Sequence, residues 1–405
     1  IVELRARRKV DLRLLPPLAV AYMYCHLNRS DIAYVRVSNS DAHRDLGDTL
    51  FLSEQQVQCA IAAFFLTYSL PMNAFVRTIA PKKGISILMI GWGATAFLQG
   101  FVWSFELLLV CRLFLGVFQS AFFAGVITYF TFWYRPKELA SRVSLFMVAI
   151  PFSGVIGSFV AFGISTLMDG FLGFESFRWI FMMNGIPPIV IGLLSLGIIP
   201  DYPEVAKFLS DQERIAMVSR LSRSGANTYN EPKFSKKDLF AVLKLPQTYM
   251  FCLGNLAKLL PFYSLIFILP TIIHELGYED WKAILMCAPP YLAAMSSMVG
   301  IAFWSDRRGS RIVPLLLFAL IGLLGFFSLL VLENPVLKYL SFFLACIGNF
   351  STGPIYIALI NERYRGAVKV SVMVTLVTFT GSLAGVFSAF VYSSDSYESG
   401  HLSSY

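Results

Sequence analysis

The sequence predicts an all-α polytopic membrane protein, and three observations carry the prediction. Of 405 residues, 56% are hydrophobic and only 14% charged, where a soluble domain carries about 25% charge. Apolar runs of roughly 20 residues, enough to cross a bilayer, recur along the chain. Pro, Gly and charge clusters separate those runs. So few charges cannot cover a globular surface, and most of the surface must face lipid.

Eleven spans follow in order: 12–34, 54–77, 84–103, 105–133, 138–168, 177–199, 247–272, 281–305, 312–332, 335–361 and 367–392. The first follows Arg5, Arg7, Arg8 and Lys9 and has no small-residue cleavage site. It therefore reads as a spanning helix and not as a cleaved signal. One long polar stretch, 200–246, divides six spans from five. The expected domains are a six-helix half over 1–199, a linker over 200–246, and a five-helix half over 247–405. Within the linker, Ser210-Asp211-Gln212-Glu213 forms a capping box ahead of Ile215, Met217, Val218 and Leu221. Ser235 can cap a second short helix carrying Leu239, Phe240 and Leu243. Both helices are expected at the membrane surface.

Orientation follows from the cations of the short loops. With the N-terminus cytoplasmic, the inward loops hold twelve: Arg77, Lys82, Lys83, Arg135, Lys137, Arg142, Arg307, Arg308, Arg311, Arg363, Arg365 and Lys369. The outward loops hold five: Arg36, Arg44, Arg178, Lys282 and Lys338. The net charge of +8 is thus mainly an orientation signal, and no nucleic-acid partner is expected. Two short matches suggest an internal repeat. Lys83-Gly84 and Arg308-Gly309 lie 225 residues apart, and Arg142-Val143-Ser144 and Lys369-Val370-Ser371 lie 227 apart. Near-equal offsets at equivalent loops point to two parallel six-helix repeats. Only eleven spans are present, so the chain reads as a fragment or truncated gene model without a twelfth helix. It begins at Ile1 and not Met, so its true N-terminus is expected to be missing.

No enzyme chemistry is legible. The six Cys are scattered in apolar runs as small packed hydrophobes, without a disulfide or metal pattern. Four His lack metal spacing, and there is no nucleophile motif or phosphate loop. No metal or cofactor is expected.

Ionisable residues inside spans are expensive and are functional candidates by default. Arg29 and His26 sit in span one, Arg112 in span four and Lys258 in span seven. Asp31 and Glu106 lie near span ends, so no deep carboxylate is expected to pair with these cations. Arg29 and Lys258 sit on the first helix of each half and can face one central, electropositive cavity. Such a cavity favours a carboxylate, which an arginine holds in a bidentate fork. Arg29 can instead snorkel to the outer interface. Arg112 can instead brace span four, and His26 can be a packing residue. Asn28, Gln119, Asn73, Asn184, Asn255 and Asn349 either line the cavity or bond across helices. Tyr22, Tyr24, Tyr68 and Tyr263 can add hydrogen bonds or simply pack. The loop Asp306-Arg307-Arg308-Gly309-Ser310-Arg311 can latch one conformation, or be a plain cationic inward loop. The Gly381/Gly385 and Gly154/Gly157 pairs permit close helix contact.

These residues bring a family into view. The chain resembles the major facilitator superfamily, and within it the anion:cation symporter branch, especially fungal permeases of the allantoate, nicotinate and pantothenate type. Lys9 to Arg13 and Leu27-Asn28-Arg29-Ser30-Asp31-Ile32 resemble that branch's opening, where Asp-Arg-Thr/Ser-Asn is usual. Arg112-Leu113-Phe114-Leu115-Gly116 with Gln119-Ser120 is similar to its fourth-helix pattern, Arg-x-x-x-Gly-x-x-Glu-Ala. Phe177-Arg178-Trp179-Ile180-Phe181 with Gly185, then Pro200-Asp201-Tyr202-Pro203, resembles its sixth-helix region. Ser305 to Arg308 resembles the superfamily's gating loop. Gly366, Lys369, Gly381, Gly385, Tyr392, Asp395, Tyr397 and Gly400 resemble the stretch through helix eleven.

The resemblance implies a twelve-helix fold, alternating access, a substrate anion held at Arg29, and proton coupling through acids on helices one and four. Both acids are replaced here, by Asn28 and Gln119, and amides cannot titrate. A facilitator, coupling through His26, and a decayed paralogue all stay open. The expected function is transport of a small organic anion, a monocarboxylate of vitamin size, with a ureide, a dicarboxylate or a short peptide also open. The rival is a non-transporting nutrient sensor. Substrate contact is expected from Arg29, Lys258, His26, Asn28, Gln119, Arg112, Tyr263 and Asn349. Gating is expected from Asp306, Arg307, Arg308, Gly309, Arg311, Arg77 and Lys82. The expected partners are the anion, protons and the bilayer, for a monomer in the plasma membrane.

Overall fold

The computed structural model describes residues 2–70, 81–223, 236–308, 310–364 and 367–391. These are almost wholly helical, with no strand among the described residues. Nine of the predicted spans form helices long and apolar enough to cross a membrane. The protein is an integral, multi-pass membrane protein. Span one is a 34-residue helix, Val2–Val35, which begins well before the predicted residue 12. Arg and Lys at positions 5 to 9 are good helix formers and extend it past the apolar run. Its polar residues His26 and Asn28 to Asp31 lower its hydropathy. Span two is described over Glu54–Tyr68; the rest of its predicted course lies outside the described residues.

Prolines explain two bends. Span five is split into Pro136–Met147 and Ala149–Leu167. Pro151 has no N–H for the Met147 carbonyl four residues back, which frees the ladder at that point. Span eight is split into Asp280–Met286 and Ala288–Arg308 by the same effect from Pro289 and Pro290. Span four divides at Ala121 into Phe105–Ser120 and Phe122–Thr131 without a proline.

Without a hydrophobic drive between helices in lipid, small residues let backbones approach. Span three (Pro81–Leu98) packs on span six (Ser176–Ile198). A Cβ at Gly93 would lie 2.9 Å from the Gly185 carbonyl, and one at Gly185 would strike the Phe97 backbone. Span nine (Ile312–Val331) packs on span ten (Pro335–Arg363) through Gly322 and Gly348 in the same way. Leu316, Leu320, Leu323 and Leu330 on the other face of span nine are exposed, which suits contact with lipid. Gly154 and Gly385 serve the contact between the first six spans and the last five. A Cβ at Gly154 would meet the Tyr291 ring, and one at Gly385 the Phe65 ring.

The first six spans meet the last five at several helix pairs. Span one packs on span seven (Pro246–Glu275), spans two and four on span eleven (Ala367–Val391), and span five on spans eight and ten. At the end away from the linker, Ser40 donates to Asp280 Oδ1 at 2.8 Å, and His274 Nε2 lies 2.9 Å from the same oxygen. Phe162 and Trp281 pack beside them. At the linker end, the first segment of span five meets span ten.

The first linker helix, Asp211–Arg223, forms with its capping box in place. Ser210 N–H donates to Glu213 at 3.0 Å, and Glu213 N–H donates to Ser210 Oγ at 3.3 Å. It buries Met217 and Leu221 and leaves Ile215 exposed. An ion-pair network holds it to the extension of span one and the start of span five. Lys9 pairs with Glu213 at 2.8 Å, Arg220 with Glu3 at 2.9 Å and with Glu138, and Arg7 with Glu138 at 3.3 Å. The second linker helix, Lys236–Leu243, packs on spans seven and eleven. Its predicted cap, Ser235, lies outside the described residues, as do the side chains of 236–239.

Hydrogen bonds from Lys9 and from the Ser210 backbone hold the Glu213 carboxyl below the usual glutamate range. A carboxyl with a depressed folded pKa stabilises above its unfolded value and loses that stabilisation as pH falls through the folded value. The first linker helix should therefore resist proteolysis at pH 7 and loosen below about pH 4, past the ordinary glutamate pKa near 4.3. Arg220→Ala should expose it at neutral pH. Limited proteolysis across pH measures both, and equal cleavage at pH 7 and pH 3.5 would contradict the network's role.

Candidate functional site

A cavity of about 100 Å³ lies between the first six spans and the last five. It has room for several waters or one small organic molecule. Helical periodicity decides which side chains face it. On span one Tyr22, His26 and Arg29 recur at i, i+4 and i+7. On span seven Asn255, Lys258, Leu259, Phe262 and Tyr263 make one stripe. On span ten Asn349, Phe350, Gly353, Tyr356 and Ile357 make another. Tyr68, Phe123 and Met147 add to the wall from spans two, four and five, Met298 from span eight, and Val377 and Gly381 from span eleven. The lining holds Arg29, Lys258 and His26 and, among the described residues, no Asp or Glu.

Arg29 is the best-defined polar group there. It is only 2% exposed, and its guanidinium lies over the Tyr68 ring at 4.4 Å and the Phe64 ring at 5.1 Å. Nη1 donates to the Tyr263 hydroxyl at 3.3 Å. Nε and Nη2 have no hydrogen-bond partner. Those two N–H groups form the side-on fork with which an arginine takes a carboxylate. The aromatic rings fix the plane of the fork by cation–π contact. Lys258 is partly buried in the same cavity, with Nζ 5.8 Å from the centre of the Tyr356 ring. Asn255 donates to the Val377 carbonyl at 2.8 Å, which ties span seven to span eleven.

A second polar cluster sits apart from the cavity, inside the first six spans. Asp31 was expected near a span end, and it lies four residues before the helix end at Val35, yet it is 1% exposed because spans four and six cover it. Asn184 of span six donates to its Oδ1 at 2.8 Å, while Oδ2 has no partner. Arg112 of span four is the cation that acts on it, also 1% exposed, with the Phe181 ring at 5.7 Å. Asn28 shares a helix face with Asp31 at i and i+3. Both side-chain polar atoms of Asn28, and both of Gln119, are buried without partners.

Of the predicted contacts, the structure therefore brings Arg29, Lys258, His26, Tyr263 and Asn349 to the cavity. Asn28, Gln119 and Arg112 do not line it. Tyr356, Phe262, Met147 and Gly353 were not singled out, although the stripe of span ten was legible at i, i+4 and i+7. In the predicted gating loop, Arg311 donates to Glu362 at 3.0 Å and to Ser305 at 3.0 Å, both within the last five spans. Asp306, Arg307 and Arg308 close the helix of span eight, but their side chains, like Gly309 and Arg77, lie outside the described residues. The Lys82 backbone N–H donates to Asp201 at 3.2 Å, which joins the start of span three to the linker.

The family model of the major facilitator superfamily matches residues 15–389. The chain belongs to the major facilitator superfamily. It is 28% identical over 401 residues to the MFS transporter prlL of Fungal sp. (strain NRRL 50135), covering 97% of this chain and 80% of that one. It is 30% identical over 328 residues to a putative tartrate transporter of Agrobacterium vitis, covering 80% and 73%. The fold is similar to that of the xylose transporter XylE of E. coli, with TM-score 0.67 at 15% identity, covering 95% and 92%. The superfamily is one of small-molecule transporters, and these relatives are named as transporters.

A buried amide with no partner costs about 1–3 kcal/mol of desolvation, which an apolar side chain of similar size avoids. Asn28→Leu and Gln119→Leu should therefore leave the melting temperature in detergent unchanged or raise it. A drop of several degrees in both variants would show that these amides are satisfied and structural.

Proposed function

We propose that this superfamily member carries small organic anions by alternating access, with the carboxylate held at Arg29. The observation that carries this reading is the orphaned Nε/Nη2 fork of a buried arginine in a cavity without acids. A buried charge is costly unless paired, so an anion that completes the fork lowers the energy of the loaded state. The putative tartrate transporter among the relatives agrees with a carboxylate substrate. Residues 1–199 and 247–405 act as the two rocking halves, with the N-terminus and linker cytoplasmic in the plasma membrane. The helix lines one–seven, two–eleven and five–eight are where these halves would rock.

Proton coupling, in this reading, runs through Asp31. Asn28 and Gln119 cannot titrate, whereas Asp31 has one free oxygen and faces Arg112 and Asn184 from two other spans. Its place two residues from Arg29, about half a turn away on span one, lets its protonation bias how span one packs.

Arg29→Lys keeps the charge but removes the fork. It should lower carboxylate uptake per unit protein by about 10–100-fold, the worth of one or two charge-assisted bonds at about 1.5–3 kcal/mol. Asp31→Asn should abolish dependence on an imposed pH gradient while counterflow exchange persists. The assay is uptake of labelled carboxylates beside their neutral amides in permease-deficient yeast. Equal uptake of acid and amide, or full uptake by Arg29→Lys, would refute the anion site. An unchanged pH response in Asp31→Asn would refute the coupling role.

A further inference from the structure

The cavity has two poles at different depths. Arg29 is tied to Tyr263, and its neighbours Phe64, Phe65 and Tyr68 lie on span two. Lys258 lies five residues before Tyr263 on the same helix, at about 1.5 Å per residue about 7.5 Å nearer the linker. Its ammonium lies 5.8 Å from the centre of the Tyr356 ring and 3.6 Å from where a Cβ at Gly353 would stand, both on span ten. Each pole thus has its own set of surrounding side chains.

Gly353 is the unusual element of the second pole. It is buried in the helix Pro335–Arg363, where glycine costs about 1 kcal/mol relative to alanine. Glycines such as Gly185 and Gly348 offset that cost by admitting a neighbouring backbone. Gly353 admits none. A Cβ there would have two neighbours, Met147 Cε at 3.2 Å and Lys258 Nζ at 3.6 Å, both ends of flexible side chains. A methyl group therefore fits the fold but occupies space directly beside the ammonium. Pro354 follows, and it leaves the Phe350 carbonyl on the cavity wall without its helical N–H.

The geometry points to a second subsite, bounded by Lys258, Met147 and Gly353, which takes the end of the anion remote from its Arg29-bound carboxylate. Gly353 sets the length and bulk this end can have. The subsite suits a polar, electron-rich group such as a hydroxyl, a carbonyl or a second carboxylate, which the ammonium and not the guanidinium would meet. This inference rests on the reading of the cavity as the anion site, and its test separates the two.

The first arm needs no knowledge of the substrate. Gly353→Cys, in a chain with exposed Cys59 and half-buried Cys252 replaced by serine, is treated with anionic and cationic methanethiosulfonates. The anionic reagent should react about tenfold faster, by local focusing of its charge, and Lys258→Ala should remove that preference. A thiol inert to both reagents, or one with no preference for sign, overturns the subsite. The second arm compares uptake of benzoate with that of para-substituted benzoates of increasing length. Gly353→Ala should lower the ratio of long to short uptake by about tenfold or more, the discrimination one methyl group can give. An unchanged ratio overturns the role of Gly353. If the wild type takes up no benzoate, the anion reading fails for this class, and the labelling arm alone decides the subsite.

Discussion

A buried guanidinium with half of its hydrogen bonds unmade is the constraint on which the site depends. Arg29 cannot lose its proton under any ordinary condition. It sits among Tyr68, Phe64 and Tyr263, which orient it without neutralising it. Rings can offset part of the cost of burial, and of the acceptors that could complete the fork an anion alone would also neutralise the charge. The helices that frame Arg29 come from both ends of the chain: spans one and two on one side and span seven on the other. An anion bound there would tie the two groups of spans together. That is the physical requirement for a carrier that closes around its load.

The other buried charges are kept away from this point. Asp31 lies on a different face of span one, held by Asn184 and acted on by Arg112. Separation matters, because a carboxylate beside Arg29 would take the fork for itself. Span one thus presents a cation to the cavity and an acid to the interior of the first six spans, about half a turn apart. Asn28 and Gln119 sit in that region as uncharged, unpartnered amides.

Much of the fold was legible in the sequence, because bilayer thickness imposes a length on apolar runs and the linker capping box is a local signal. Spans five and eight were read as unbroken, although Pro151, Pro289 and Pro290 carry the signal for the breaks found there. The site was legible in part. Arg29, Lys258 and His26 stood out as charges in apolar runs. Asp31 did not, because its burial comes from Asn184 and Arg112 on spans six and four, which pack over it only in three dimensions. Gly353 carried no signal of its own. A glycine beside a proline reads as a bend, and only three-dimensional neighbours reveal that it borders an ammonium.

The most direct test of the central claim is equilibrium binding to the purified protein. Melting temperature in detergent is followed during titration with a series of small carboxylates and with their neutral amides. The account predicts that at least one carboxylate raises the melting temperature in a saturable way, that its amide does not, and that the shift disappears in Arg29→Lys. An amide that stabilises as well as its acid, or a carboxylate that stabilises Arg29→Lys as fully as the wild type, would contradict it.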